Sequence, residues 1–438
     1  MIQAKSNKKL PQLHPLMSHL ANEIHSRSFP RIQGAVIVSQ ATMLHYNSDK
    51  QAQINHLKLL AEKYDANLPN QETSCYYADL GELDIRWEHH SEFSTYTVIR
   101  LNNNEQAFEC PPWHLLPLNW RQSLPGQLIA AIHLDVRENL PEASGLQKIF
   151  LGHSLLASVV AENNAQVWTS FKTSDDGFER LLIIDQGLTQ SQTGRLLRCL
   201  LELSSYRMVA LLSLPVSREL MPQVAEMESE LARITLLLSR LDEEECGEKN
   251  LLSQLSALSA RLESIIADNQ FRFDASNAYF ELVTNRIAEL NETEIPGKEM
   301  LSDFLNRRMI PAFRTGKSVT QRTLNISNRI DKASDLLQTR INLDLEEQNQ
   351  DLLKAINRRS HIQLKLHQLV ESVSMFAISY YIIQLISYTL VLPQHWQEKV
   401  SKELVVAASV PLVIFGVWFL LHKLKRRWWG LRDQNEIL

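Results

Sequence analysis

The stretch KSVTQRTLNISNRIDKASDLLQTRINLDLEEQNQDLLKAINRRSHIQLKLHQLVESVSMFAISYYIIQLISYTLVL, residues 317–392, contains neither glycine nor proline. Apolar residues recur through it at Ile326, Ile330, Ala333, Leu337, Ile341, Leu345, Leu352, Ile356, Ile362, Leu366, Leu369 and Val373. Steps of three and four, or their sums, match a 3.6-residue period. An unbroken helix over this stretch is on the order of 110 Å long, at about 1.5 Å per residue. Its polar face carries Asp344, Glu346, Glu347, Asp351, Arg358 and Arg359. A helix with so long an apolar stripe requires partner helices, from the same chain, from other subunits, or from both.

The end of this stretch changes character. Residues 372–392 carry no charge, and neither do residues 404–421. As helices they measure about 32 and 27 Å, close to the roughly 30 Å hydrocarbon layer of a bilayer. Two transmembrane helices are therefore expected at 372–392 and 404–421, with 393–403 as the outer loop between them. Arg358, Arg359 and Lys365 precede the first span, and Lys423, Lys425, Arg426 and Arg427 follow the second, whereas Lys399 and Lys402 in the loop are balanced by Glu398 and Glu403. The positive-inside rule then puts both chain ends, including the tail 422–438, in the cytoplasm. Trp396 on one side, and Trp428 and Trp429 on the other, suit the two membrane interfaces. No apolar run of signal-peptide type follows Met1–Gln12, so insertion is expected to come from the carboxy-terminal end alone.

Partners for the long helix are available upstream. Pro222 is expected to open a helix that ends at the acidic cluster Asp242, Glu243, Glu244 and Glu245, with Gly247 as the break. A second helical stretch runs from about 248 to 294, and a short helix from about 298 to 308 precedes Pro311. Residues 217–371 thus read as a long-helix hairpin and stalk, with the acidic cluster as a solvated hairpin tip.

The first half has short β-type runs at 35–39, 74–79, 84–88, 94–101, 127–134, 166–172 and 178–184, with helical stretches at about 49–63 and 189–212. Residues 1–216 are expected to form a mixed α/β cytoplasmic domain, and the whole chain is of the α+β class. At 438 residues the chain has room for two or three domains. Its 45 Lys+Arg against 50 Asp+Glu, a net charge of −5, exclude a polybasic nucleic-acid binder. Cys75, Cys110, Cys199 and Cys246 have no CxxC spacing and fit reduced thiols.

Catalytic motifs are absent: no phosphate loop, no GxGxxG, no HExxH and no GxSxG. No cofactor is identified and no enzyme activity is expected. The histidines offer the nearest thing to a site. His14, His19 and His25 lie close to Glu23, and His89 and His90 lie between Glu88 and Glu92. Imidazole and carboxylate are both metal ligands, so a divalent cation is one ligand for such groups. The alternative is a polar network that anchors the amino-terminal segment to a strand. Asp175-Asp176-Gly177 reads as a turn rather than as catalytic carboxylates. In the first span, Tyr380, Gln384 and Ser387 share one helix face, with Tyr388 beside them. Polar groups at that depth face protein or water, either as interhelical hydrogen bonds or as the wall of a conduction path.

ANEIHSRSFP at 21–30, WEHHSEFSTYT at 87–97, VWTSFKTSDDGFERLLI at 167–183, SSYRMVALLSLP at 204–215, IPGKEMLSDFLNRRMIPAFRT at 295–315 and VESVSMFAISYYIIQLISY at 370–388 resemble an uncharacterised bacterial family of membrane-anchored proteins, a domain of unknown function. That resemblance implies the bacterial inner membrane and supplies no catalytic residues. A second resemblance is architectural. A cytoplasmic α/β domain, a helical hairpin, a long stalk and two carboxy-terminal spans are similar to CorA-type magnesium transporters, homopentamers whose first spans line the pore. LPQHWQEK at 392–399 resembles their outer loop, but Ser387-Tyr388-Thr389 stands where they carry Gly-Met-Asn.

Three readings follow. The first is a homo-oligomeric CorA-like cation transporter or cation sensor, with Tyr380, Gln384, Ser387 and Tyr388 facing its axis. The second is a non-conducting scaffold or sensor anchored in the lipid bilayer, which binds a cytoplasmic protein or an ion. The third is a tethered enzyme, and it requires Glu23, His25, Glu88 and His89 to converge.

Overall fold

All of Val36–Leu44 (β1) is buried, in a computed structural model that describes residues 14, 16–17, 32, 34–45, 50–71, 73–101, 106–240, 247–389 and 402–432. Both faces of this strand are covered, and the period-2 alternation of side chains divides its residues between them. Val36 and Val38 enter one apolar core, while Ile37 enters another on the opposite face. The β-type run at 35–39 stops short of the observed strand because Gln40 and Thr42 are polar. Both are nevertheless buried, and both are satisfied. Gln40 donates to Ser205 Oγ at 2.9 Å and accepts from Thr97 Oγ1 at 2.9 Å, and Thr42 Oγ1 lies 2.8 Å from Ser205 Oγ. Such pairing removes most of the cost of burying them.

The chain continues through α1 (Lys50–Lys63), β2 (Cys75–Asp79), β3 (Asp84–His89), β4 (Phe93–Leu101), the short helices α2 (Pro112–Leu115) and α3 (Leu118–Gln122), β5 (Gln127–Arg137), α4 (Ala143–Ile149), β6 (Leu156–Val160), β7 (Ala165–Thr173) and β8 (Glu179–Asp185). The strands form one nine-stranded sheet in the order β2-β3-β4-β1-β5-β8-β7-β6-β9, where β9 is Thr293–Glu294. Neighbours are antiparallel except β5 and β8, which run parallel. Two of these strands were not expected from sequence. β6 is only LASVV. β9 is two residues long and pairs with Val159 and Ser158, so it exists through its register rather than through its own propensity.

Gln190–Ala210 (α5) opens on a capping box, in which Thr189 and Gln192 each bond the other's backbone N–H. Its apolar face joins the strand core that includes Leu134, Val136, Leu181 and Ile183. Ser213–Ser239 (α6) and Glu248–Glu289 (α7) follow, then β9, then Leu301–Thr389 (α8) and Lys402–Arg432 (α9).

Three local expectations are corrected. Pro222 lies inside α6 rather than at its start. Ser217, Leu220, Val224 and Met227 are buried on either side of it, and that packing outweighs the lost N–H bond, about 3 kcal/mol in an isolated helix. The helix expected up to 294 ends at Glu289, and Asn291, in the left-handed region with φ 47°, turns the chain into β9. The short helix at 298–308 does not stop before Pro311. It is the start of α8, which passes through Pro311 and Gly316. Leu301, Leu305 and Met309 before the proline, and Val319, Ile326 and Ile330 after it, are buried. Gly316 is a point of close approach, since a Cβ there would lie 3.4 Å from Ser217 Oγ of α6 and 3.7 Å from the Phe273 ring of α7. Phe280 stacks on Phe313 at 4.1 Å, and Arg322 reaches both carboxylate oxygens of Glu228 at 2.9 and 2.7 Å. The acidic cluster 242–245 lies outside the described residues.

Residues 1–334 and 335–438 form two compact units. In the second, the sheltered positions near the end of α8 include Met375, Ser379, Ile382, Ile383 and Ile386, and those of α9 include Val406, Val410, Val413, Val417 and Leu421. Each set follows steps of three and four along one helix face. Three stretches are long and apolar enough to cross a membrane, within Gln190–Ser239, Leu301–Thr389 and Val406–Lys423. The apolar window of the first is 61% buried inside the fold, against 6% and 0% for the other two. The first is therefore a core helix pair, and the other two coincide with the expected spans. Residues 390–392 of the first expected span and 393–401 of the loop expected at 393–403 lie outside the described residues.

Candidate functional site

Sheet register builds the strongest polar constellation. Ser39 of β1 pairs with His133 of β5, and His133 pairs with Arg180 of β8. Ile132 and Leu134 enter the core that α5 covers, so alternation sends His133 to the other face. Ser39 and His133 are fully buried, with Ser39 Oγ 2.7 Å from His133 Nδ1. The Trp113 N–H donates to the same hydroxyl at 3.3 Å, which fixes α2 on β1 and brings in the next residue, His114. The turn before β8 completes the group. Asp176 Oδ1 accepts from the Phe178 N–H at 3.0 Å, and the Phe178 ring stacks on His133 at 4.0 Å. Asp176 Oδ2 then lies 3.5 Å from His133 Nε2, 3.7 Å from His114 Nε2 and 3.7 Å from Arg180 Nη2. One ligand atom each from His114, His133 and Asp176 falls within 4.8 Å of the other two.

The electrostatics are coherent. Burial lowers the His133 pKa below its ordinary 6.5, against the opposing pull of Asp176. Burial would raise the Asp176 carboxyl, but the His133 ring 3.5 Å away, the hydrogen bond from the Phe178 N–H and the neighbouring Arg180 charge hold it well below the usual carboxylate range. At neutral pH the pair is a neutral imidazole beside an ionised carboxylate.

A nucleophilic reading does not fit. Ser39, His133 and Asp176 form a serine–histidine–aspartate relay, but Ser39 is 0% exposed, and a nucleophile must reach its substrate. His114, with 39% of its side chain exposed, is the member of the group that meets solvent.

The residues singled out from sequence are placed elsewhere. Glu23 and His25 lie outside the described residues. Glu88 pairs with Arg86 at 2.7 Å. His89 stacks on His45 at 4.5 Å and lies 3.0 Å from Ser94 Oγ. Glu92 is paired with Arg272 of α7. These three serve the β3–β4 hairpin and its packing through separate partners. Tyr380 and Tyr388 on α8 are exposed, and Gln384 and Ser387 are half-buried. Asp176 does occupy the turn expected of it, and its second oxygen also faces the histidines. His114 and His133 carried no motif. The available signal was His133 and Asp135 at alternate positions of the apolar run LIAAIHLDV, both on a buried strand face.

The family model that matches the chain covers residues 12–428, nearly its whole length, and is described as a protein of unknown function, DUF3422. No curated protein matches the chain.

Proposed function

Because this chain belongs to the DUF3422 family, whose function is unknown, we propose its role from the molecule itself: a homo-oligomeric, membrane-anchored sensor of the bacterial inner membrane that binds its ligand in the cytoplasmic sheet unit. One observation carries this reading. The apolar stripe of α8 is exposed from residue 343 to residue 373, with Leu345, Leu352, Ile356, Leu366 and Leu369 between 51% and 63% exposed. A soluble monomer seldom leaves so long an apolar surface uncovered. Lipid covers the part within 372–392 and in α9, and like helices of other copies cover the part between. The basic flanks of both spans support cytoplasmic termini.

The test is the oligomeric state of the full chain in mild detergent, measured by light scattering after gel filtration. A defined oligomer is expected, and a monomer sinks the reading. Cation conduction is the second reading, favoured by the polar row Tyr380, Gln384, Ser387 and Tyr388 at the expected bilayer depth. Ion flux in proteoliposomes separates the two, since the sensor passes none.

A further inference from the structure

We propose that His114, His133 and Asp176 form a binding site for a divalent transition-metal ion of the zinc class, with a fourth position open to solvent beside His114. The inference names the ligand of the sensor reading and rests on it for its purpose, but its geometry lies wholly within the sheet unit.

Distances support the assignment. Around a tetrahedral zinc, ligand atoms sit about 2.0–2.2 Å from the metal and therefore about 3.4 Å from one another. The two histidine–carboxylate separations are 3.5 and 3.7 Å. His133 Nε2 adds a second observation: its nearest polar neighbour is Asp176 Oδ2 at 3.5 Å. The His133 side chain is 0% exposed, and Nε2 makes no hydrogen bond of good geometry. An atom of this kind normally finds a partner, and an ion between it and the carboxylate supplies one. The surroundings hold the ligands in place. Ser39 fixes the His133 ring through Nδ1, as the outer-shell partners of metal-bound histidines do. Phe178 stacks flat against the same ring, and Asp176 is held by the backbone of its own turn. Arg180, whose Nη1 is bonded to the Ile149 carbonyl at 3.0 Å, places Nη2 3.7 Å from Asp176 Oδ2. Arg121 Nη1 lies 3.3 Å from His114 Nδ1, and that contact opens when His114 ligates through Nε2, because Nδ1 then carries the proton.

The donor set also selects the ion. Two imidazoles and one carboxylate suit zinc, cobalt, nickel or ferrous iron, whereas magnesium takes oxygen ligands and keeps its waters. The site is thus the wrong chemistry for a magnesium sensor.

The probes are Zn²⁺ and Co²⁺ added alone to the metal-stripped full chain in detergent. Calorimetry is expected to show one saturable Zn²⁺ per chain, Co²⁺ to give the intense visible bands of a tetrahedral ion, and excess Mg²⁺ not to compete. His114→Ala, at an exposed position the fold tolerates, and Asp176→Asn, which retains the turn acceptor, are each expected to weaken Zn²⁺ by about 100-fold or more. Ser39→Ala is expected to weaken it by about 10–100-fold. Circular dichroism confirms that each variant is folded. Absence of saturable Zn²⁺ binding to the folded wild type overturns the proposal, and so does binding that both ligand variants leave within tenfold of wild type. An oligomer that binds no zinc removes the metal site and leaves the sensor assembly standing. A monomer that binds zinc does the reverse.

Discussion

Helix α8 lives in two environments. Between Leu301 and Ala333 the positions of its apolar stripe are buried, Val319 and Ile326 at 1% exposure and Ile330 at 2%, and aromatic and ionic contacts tie it to α6 and α7. Farther on, the same periodicity continues, yet Leu352 is 60% exposed and Leu366 55%. The amino-acid pattern is alike in the two parts, and the difference is the presence of partners. Helices α6 and α7 supply them for the first part, and nothing among the described residues covers residues 343–373 of the second. Periodicity therefore states that a face will be covered, and leaves the identity of the cover to the rest of the assembly.

That comparison can be broken most directly in the distal part. Leu352→Asp is expected to convert the detergent-solubilised oligomer to smaller species on gel filtration while leaving the unfolding of the sheet unit unchanged. An unaltered oligomer would mean that the stripe is not an interface. In the proximal unit, Trp87→Ala removes a side chain that is 0% exposed and donates to Gln53 Oε1 at 3.1 Å. It is expected to cost about 3–5 kcal/mol in denaturant titration, whereas Leu366→Ala should leave that unit's midpoint in place.

A smaller effect is expected from pH. Burial, followed by the neighbouring charge of His45, holds His89 down to about 4, and burial lowers His45 as well. Each has an ordinary value of 6.5 in the unfolded chain. The unfolded state thus takes up protons that the folded state refuses as pH falls from about 6.5 to 4. The associated stability is complete above that window and is lost through it. The midpoint of thermal unfolding should fall on acidification across the window, and His89→Gln should flatten part of the slope. The smallest effect belongs to Arg322→Ala, whose partner Glu228 is partly solvated. A surface pair of this kind is worth less than about 1 kcal/mol, so a larger loss would show that α6 and α8 are clamped more tightly than their exposure implies.

Legibility from sequence followed the range of the interactions. Seven of the nine strands carried a local pattern, because alternation and β-branching are local. β9 did not, because two residues acquire strand geometry only from β6. Pro222 was expected to open a helix and Pro311 to follow the end of one, because proline lowers intrinsic helix propensity. Their neighbours are buried on both sides, and packing reversed the local preference. The histidine-rich segment 87–97 drew attention through its density of ligand-type residues, yet those side chains are shared out among Arg86, Ser94 and Arg272. The converging group instead comes from three places in the chain, of which the sequence singles out only Asp176, and then as a turn residue.

By itself the sequence determined the helical period of residues 317–389 and the two uncharged windows near the carboxy terminus, since both depend only on the order of side chains along one element. It also held a third apolar window, within Gln190–Ser239, of the same kind by composition. Tertiary structure alone separated that window from the other two, by burying it in the fold. It alone brought His114, His133 and Asp176 together as well. Their meeting depends on the pairing of β1, β5 and β8 and on the turn that precedes β8, and strand register is a property of the folded sheet that no single segment encodes.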